Sequence, residues 1–296
     1  MTLLQFQVYV TVIETKSFTK ASEHLGLTQS AVSQTISSLE SALGVTLLHR
    51  SRNGITPTRI GERMLQHVRE ILRRSTLMKQ EASASIGLEI GTLRIGSIPS
   101  TAANLLPGII ASFKSQFPGV EIALFEGNAG EVSEWVLHSV VDVGFLPLPA
   151  EGVREVPLVQ DSLRVFLPPN HPLRDEELIR IEQIANEPFI MPKAGYDRMI
   201  RQLFAAEGLV PQVQFEVRDT ATIMALVQGG IGVTLLPEMA IPASLPNVAT
   251  SRLQPETTRT IGLGVRCLQT ISPAGAEFIC HAKEYVKKNC PSFVNA

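Results

Sequence analysis

Cysteine is scarce. Cys267, Cys280 and Cys290 are odd in number and have no CxxC spacing. A disulfide framework and a zinc site are therefore not expected, and a reducing, cytoplasmic setting fits. Long apolar runs are also missing. None approaches the roughly 20 residues of a membrane span, and no basic leader followed by an apolar core opens the chain. Neither a membrane partner nor a secretory signal is expected. His24, His49, His67, His138, His171 and His281 are scattered without metal-ligand spacing, and His171 sits in an Asn-His-Pro turn. There is no GxSxG, no HExxH and no P-loop. Gly229-Gly230-Ile231-Gly232 follows a helical pattern and precedes a strand, the reverse of a dinucleotide site, so it reads as a helix end. No catalytic residue, metal or cofactor is expected from these patterns.

Net charge is small, −2 over 296 residues, but it is uneven. Residues 1–88 hold ten Lys/Arg against six Asp/Glu, a net +4, and residues 89–296 hold sixteen against twenty-two, a net −6. A basic N-terminal part on an acidic body is the footprint of a nucleic-acid-binding module joined to something else. The length allows two or three domains, and the 44% hydrophobic fraction suits well-filled cores.

The stretch Ser17–Arg52 is the most informative. A short helical pattern, Thr19–Leu25, ends at Gly26, which can take the positive φ of a helix exit. A second starts after Thr28, a good N-cap. Its Val32, Ile36, Leu39 and Leu43 are spaced four, three and four, one stripe of an α-helix. The opposite face carries Gln29, Ser30, Ser33, Gln34 and Ser37, uncharged side chains able to donate and accept. Such a face is as often plain solvated surface as one that reads base edges in a major groove. The residues after Gly44 tip the balance. Asn53-Gly54 is a strong hairpin signal, flanked by Leu47-Leu48 and Ile55-Thr56, with Arg50 and Arg52 beside it. A hairpin tipped with arginines after such a helix reads as a wing that touches phosphates or the minor groove. Ahead of it, Leu3, Phe6, Val10 and Ile13 predict a packing helix over about 3–15.

These residues resemble a known family. Phe18-Thr19-Lys20-Ala21-Ser22, Leu25, Gln29-Ser30-Ala31-Val32-Ser33, Ile36, Leu39-Glu40, Leu43-Gly44, Leu47-Leu48, Arg50, Pro57-Thr58 and Gly61 look like the winged helix–turn–helix of LysR-type transcriptional regulators, ungapped over about the first sixty residues. Leu48 and Ile60 replace a common Phe and Ala. Thr35 replaces a residue that is often basic or larger, which bears on which bases are read. The resemblance implies a DNA-binding regulator of double-stranded promoter DNA, working as a homodimer or homotetramer with RNA polymerase and answering to a small-molecule effector. The DNA contacts it points to are Thr28, Gln29, Ser30, Ser33, Gln34, Ser37, Arg50 and Arg52.

Thr58 can cap a further helix reaching about Ser85. Ile60, Met64, Val68, Ile71, Ser75, Met78 and Ala82 alternate by three and four, an a/d seam, with Leu65 and Leu72 widening it. A surface helix packed on its own domain would show the same stripe. No sequence-adjacent sheet is there to cover it, so a partner chain is favoured, with Ile60, Met64, Val68, Ile71 and Met78 as dimerisation residues. The family's linker helix, which pairs two subunits, is similar. Ser83–Gly91 reads as a hinge.

Strand and helix patterns then alternate, which predicts βα units and a mostly parallel sheet. Strands are expected at Thr92–Gly96, Val120–Phe125, Val141–Leu146, Leu163–Leu167, Phe189–Met191, Val213–Val217, Gly232–Leu236 and Ile261–Cys267. Helices are expected at Leu105–Phe117, Glu131–Ser139, Asp197–Glu207, Thr220–Gln228 and Pro273–Lys288. Two α/β halves result, crossing near Gln160–Leu163 and near Gly264–Cys267. Arg94-Ile95-Gly96, Leu106-Pro107, Asp142-Val143-Gly144, His171-Pro172-Leu173 and Gly230–Pro237 resemble the LysR effector-binding domain, itself like a periplasmic binding protein. The expected architecture is thus α/β: an all-α winged helix–turn–helix (1–58), a long linker helix and hinge (59–91), and two Rossmann-like subdomains (92–296; I, 92–161 and 266–296; II, 162–265).

In an open parallel sheet, ligands bind beyond the carboxyl ends of the strands. Ser97-Ile98-Pro99-Ser100-Thr101, Gly127-Asn128, Pro192-Lys193-Ala194-Gly195 and Asp219-Thr220 all lie there. These loops are expected to face one cleft, with Lys193 as their only basic side chain. Ser97, Pro99, Ser100, Thr101, Asn128, Lys193, Gly195 and Thr220 are the candidate effector residues, and the ligand is expected to be anionic. Singly, each Ser or Thr at a helix start is as readily a plain cap. Two other functions stay open: a C-terminal domain that serves only assembly, and an enzyme fused to a DNA-binding module.

Overall fold

The structure is a computed structural model that describes residues 1–51, 54–85, 91–193, 195–241 and 248–290. It divides into two compact units, residues 1–90 with 138–140, and residues 91–137 with 141–296.

The first unit opens with α1 (Leu3–Thr15), α2 (Phe18–Leu25) and α3 (Gln29–Leu43). Each start is capped by a side chain. The Thr2 hydroxyl accepts from Gln5 N, that of Ser17 from Lys20 N and that of Thr28 from Ala31 N. Gly26 and Gly44 end α2 and α3 at φ +63° and +69°, conformations that cost a Cβ-bearing residue energy. The buried face of α1 is Phe6, Val8, Tyr9 and Val12. Leu3 is exposed, and Val10 and Ile13 pack at the margin. The predicted stripe was thus rotated, because buried Tyr9 turns inward to donate from Oη to Gly61 O at 2.9 Å. Val32, Ile36 and Leu39 of α3 complete the core.

The wing is β1 (Leu48–Ser51) paired antiparallel with β2 (Gly54–Pro57), Leu48 opposite Pro57. Its tip, residues 52–53, lies outside the described residues, and the expectations for Arg52 and Asn53-Gly54 as a turn fall there in part. Helix α4 (Arg59–Ser85) has 27 residues, about 40 Å of helix. Thr58 Oγ1 starts it by accepting from Gly61 N at 2.9 Å. A Cβ at Gly61 would collide with Leu47 O, so only glycine lets α4 lie this close to the wing. Val68 is buried in the core that α1–α3 build, and Met64, Leu65 and Leu72 pack against it. The first turns of the stripe are therefore covered by their own module. Ile60 is half-buried, whereas Ile71 and Met78 are 42% and 67% exposed.

The second unit runs β3 (Gly91–Ser97), α5 (Pro99–Asn104), α6 (Leu106–Gln116), β4 (Val120–Glu126), α7 (Ala129–Leu137), β5 (Val143–Leu148), β6 (Arg154–Leu167), β7 (Leu178–Arg180), α8 (Ile181–Ile184), β8 (Pro188–Pro192), α9 (Asp197–Ala206), β9 (Gln212–Val217), α10 (Thr220–Gln228), β10 (Thr234–Pro237), β11 (Ala249–Gln254), β12 (Thr258–Val265) and α11 (Pro273–Asn289). One sheet has the order β4-β3-β5-β12-β6-β11-β7, with β10 also on β6, and β8 pairs β9. Pairing is parallel for β3 with β4 and β5, for β8 with β9 and for β7 with β11. Around β6 and β12 it is antiparallel. The sheet is mixed rather than mostly parallel, because the two strands that carry the chain between the halves run against their neighbours.

Two apolar cores match the two halves. Leu93, Ile95, Phe113, Phe145 and Phe278 lie in one, and Val165, Phe166, Phe189, Phe204 and Leu235 in the other. The first crossing is β6 itself. Its early residues pair with β12, and Leu163–Leu167 pair with β10 and β11. The return lies between β11 and β12, not near Gly264–Cys267, since β12 pairs with β5 from Thr260 opposite Leu148 onward. Helix α11 then packs on the first core.

Candidate DNA-reading face and effector cleft

At the start of α3, Thr28, Gln29 and Ser30 are exposed, as are Gln34 and Ser37 further along, while Ser33 is half-buried. The acid of the same helix is drawn away from this edge. Glu40 Oε1 accepts from Leu47 N at 2.7 Å and Leu48 N at 3.2 Å, tying the wing to α3. The edge therefore presents hydroxyls and amides without a carboxylate to repel phosphate. Arg50 stacks over the Phe18 ring, 4.6 Å from its centroid, and its Nη2 lies 3.4 Å from Ser33 Oγ. That places its charge beside the polar edge of α3. Arg52 lies outside the described residues.

In the second unit, a cavity of about 380 Å³ is lined by Pro99, Gly127–Glu131, Lys193, Gly195, Asp197 and Arg218. The first two groups follow β3 and β4, and the others follow β8 and β9. The cavity thus lies beyond the carboxyl ends of two parallel pairs, where such sheets hold ligands. The size is within the range of small-molecule sites. Of the candidate residues, Pro99, Asn128, Lys193 and Gly195 come together here.

Four do not line it. Ser97 is fully buried and donates to Ile98 O at 3.1 Å. Thr101 is also fully buried, with Oγ1 3.8 Å from Met239 Sδ. Ser100 Oγ accepts from Arg259 Nη2 at 3.0 Å. Thr220 is the first residue of α10, and Asp219 is its cap, accepting from Thr222 N.

A buried network that sequence reading missed joins segments next to the lining residues Pro99 and Gly195. Asp161 of β6 and Arg259 of β12 face each other in register. Arg259 donates to Asp161 Oδ2 from Nε at 3.0 Å and Nη2 at 2.7 Å, and Met239 N donates to Oδ1 at 2.9 Å. Burial pushes the Asp161 carboxyl above the usual carboxylate range, against the pull of the guanidinium. Arg259 also packs over the Tyr196 ring at 5.0 Å. One guanidinium thus touches Ser100, next to Pro99, and Tyr196, next to Gly195. Asn104 Nδ2 adds a bond to Met239 O at 2.6 Å.

The charged lining was only partly anticipated. Lys193 is not the only basic side chain, since Arg218 also lines the cavity, as do the acids Glu131 and Asp197. Arg218 was visible beside the Asp219 cap at the end of a strand. Lys193 Nζ lies 3.1 Å from Asp197 Oδ2 and 3.6 Å from Glu216 Oε1. The Asp197 hydrogen bond and charge raise the lysine above its ordinary value. Asp197 is raised by burial, but Lys193 and backbone N–H groups outweigh this and hold it low. Among the described residues no cluster of His, Cys, Asp and Glu could hold a metal ion, and no helix is long and apolar enough to cross a membrane.

Known proteins share both units. The model of the LysR substrate binding domain matches residues 87–287, and that of the bacterial regulatory helix-turn-helix protein, lysR family, matches residues 3–62. The HTH-type transcriptional regulator YvbU of Bacillus subtilis is 37% identical over 287 residues, 96% of this chain and 98% of its own. A probable regulator of the same type, LrrA of Synechococcus elongatus, is 35% identical over 90% of both chains. Full-length OxyR from Pseudomonas aeruginosa has the same fold, with TM-score 0.77 at 21% identity over 97% of this chain and 98% of its own. CbnR, solved in complex with its target DNA, superposes with TM-score 0.68 at 22% identity over 96% and 99%. The chain belongs to the LysR family of DNA-binding transcriptional regulators, with a helix–turn–helix domain at its N-terminus and an effector-binding domain after it.

Proposed function

We propose that this regulator reads promoter DNA through the exposed edge of α3 and answers to a small anionic effector held in the cavity between the two α/β halves. The uncharged hydroxyl and amide edge, from Thr28 to Ser37, matches what major-groove readout requires. Arg50, beside it, supplies a sequence-blind attraction to phosphate. Arg52 is assigned the same role on its place in the sequence. The observation that carries the sensor reading is the cavity itself. Four loops from both halves line about 380 Å³, and a ligand touching both walls favours their closed arrangement.

The regulator acts as a homodimer or homotetramer in the cytoplasm, with RNA polymerase as a further partner, and without catalysis or a bound cofactor. Pairing through α4 is supported by the exposure of Ile71 and Met78. Thermal melting of the full chain against small carboxylates, sulfur oxyanions and amino acids tests the sensor reading. Saturable stabilisation by one anionic class, accompanied by a changed promoter footprint, is the expected result. No stabilisation by any compound would leave the second unit as an assembly domain, and turnover of any of them would make it an enzyme.

A further inference from the structure

The two basic side chains of the cavity differ in what already holds them. Lys193 is clasped by Asp197 at 3.1 Å and faces Glu216 at 3.6 Å. Asp197 is held below the ordinary carboxylate range, so this clasp stays ionised at neutral pH. Arg201 shares Glu216 at 3.1 Å. An incoming anion therefore meets a lysine whose charge two carboxylates already offset.

Arg218 stands otherwise. It follows β9, is exposed, and lines the cavity. Among the described residues no hydrogen bond, ion pair or ring contact engages it. The acid next to it does not neutralise it by contact, because Asp219 Oδ2 is taken by Thr222 N at 2.8 Å and Thr222 Oγ1 at 2.6 Å. On the opposite wall, Glu131 Oε2 accepts from Asn128 N at 2.8 Å, so that carboxylate is also engaged within the protein.

Resting on the reading of the cavity as an anion site, we propose that Arg218, not Lys193, receives the acid group of the effector. A guanidinium offers two parallel N–H groups that match the planar edge of a carboxylate, or two oxygens of a sulfate-like head. With one unengaged cation in the lining, the fitting ligand is a small organic acid with a single anionic group. A second acid group would meet the carboxylates of Asp197 and Glu216 beside Lys193 rather than an unengaged cation. The class is thus an acid with one anionic head group whose uncharged remainder reaches the wall formed by Asn128–Glu131.

The test uses the full-length protein, with sulfate and propionate as separate probes in low-chloride buffer, titrated calorimetrically. Arg218→Ala should weaken binding of both probes by about tenfold or more. Arg218→Lys should restore sulfate binding more than propionate binding, because the charge returns without the fork. Lys193→Met should weaken either probe less than Arg218→Ala does. Melting temperatures without anion should match wild type for the Arg218 variants, since among the described residues that side chain engages none. Three results overturn the proposal. Wild type that binds neither probe ends the anion reading of the cavity and this assignment with it. Arg218→Ala that binds like wild type, or Lys193→Met that loses more than Arg218→Ala, removes Arg218 as receptor while leaving the cavity an anion site.

Discussion

Asp161 is fully buried and its partner Arg259 keeps 7% of its side chain exposed, the most enclosed ion pair among the described residues. Taking two charges out of water is costly, and what offsets it here is complete hydrogen bonding. The carboxylate accepts from two guanidinium nitrogens and one backbone N–H. Removing one partner should cost more than removing both. Arg259→Met is expected to destabilise the full chain by about 3–5 kcal/mol in chemical denaturation, and Asp161→Asn added to it should recover part of that. A loss under about 1 kcal/mol for the single variant would mean that Asp161 is already protonated in the fold. No local pattern pointed to this pair. The residues are 98 apart in sequence, and Gln160-Asp161-Ser162 reads as a polar break rather than the middle of a strand. Arg218, by contrast, lay in plain view beside a cap. Its meaning depended on which cations were already engaged, and only geometry supplies that.

Elements were legible where their ends carry local chemistry. The caps Thr28 and Thr58 and the exit at Gly26 fixed helix limits to within a residue or two, because each acts through its own neighbours. Helix α10 spans Thr220–Gln228 as its sequence pattern indicated. Strands β7 and β11 escaped notice because pairing with remote strands holds them, and helix α8 because it is only four residues long. Strand β6 showed only its apolar end at Leu163–Leu167, while residues 159–165 alternate buried and half-buried. Helix α4 is the instructive case. A seam repeats identically whether its own module or a partner covers it. Val68 is buried in the module's core, whereas Ile71, three residues on, is 42% exposed. The same change should therefore act differently at the two sites. Val68→Asp is expected to unfold the N-terminal module, because it buries a charge without a partner. Ile71→Asp should leave the module's circular dichroism intact but shift sedimentation from dimer to monomer. An unaltered sedimentation coefficient for Ile71→Asp would remove that position from any subunit contact.

At the scale of the molecule, charge and connectivity divide the work. The first 88 residues carry a net +4 and the remainder a net −6. Attraction to DNA therefore concentrates on the unit that reads it, and repulsion discourages the other from lying on the phosphates. A ligand in the cavity shifts populations only as far as it binds one arrangement of the halves better than another. Within one chain, the covalent route from that shift to the DNA-reading unit is the segment after α4. Effector binding should consequently alter DNA bending or half-site spacing more than it alters the contacts of α3. Lengthening that segment with about eight flexible Gly/Ser residues, whose ends move nearly freely, should separate the two events. The anion that stabilises the wild type in melting should bind the lengthened protein with the same affinity. The ligand-free footprint should persist in outline, and the change in footprint on adding the anion should vanish. A lengthened protein whose footprint still responds would show that the signal passes between subunits through their effector-binding units, because the covalent route would then be slack.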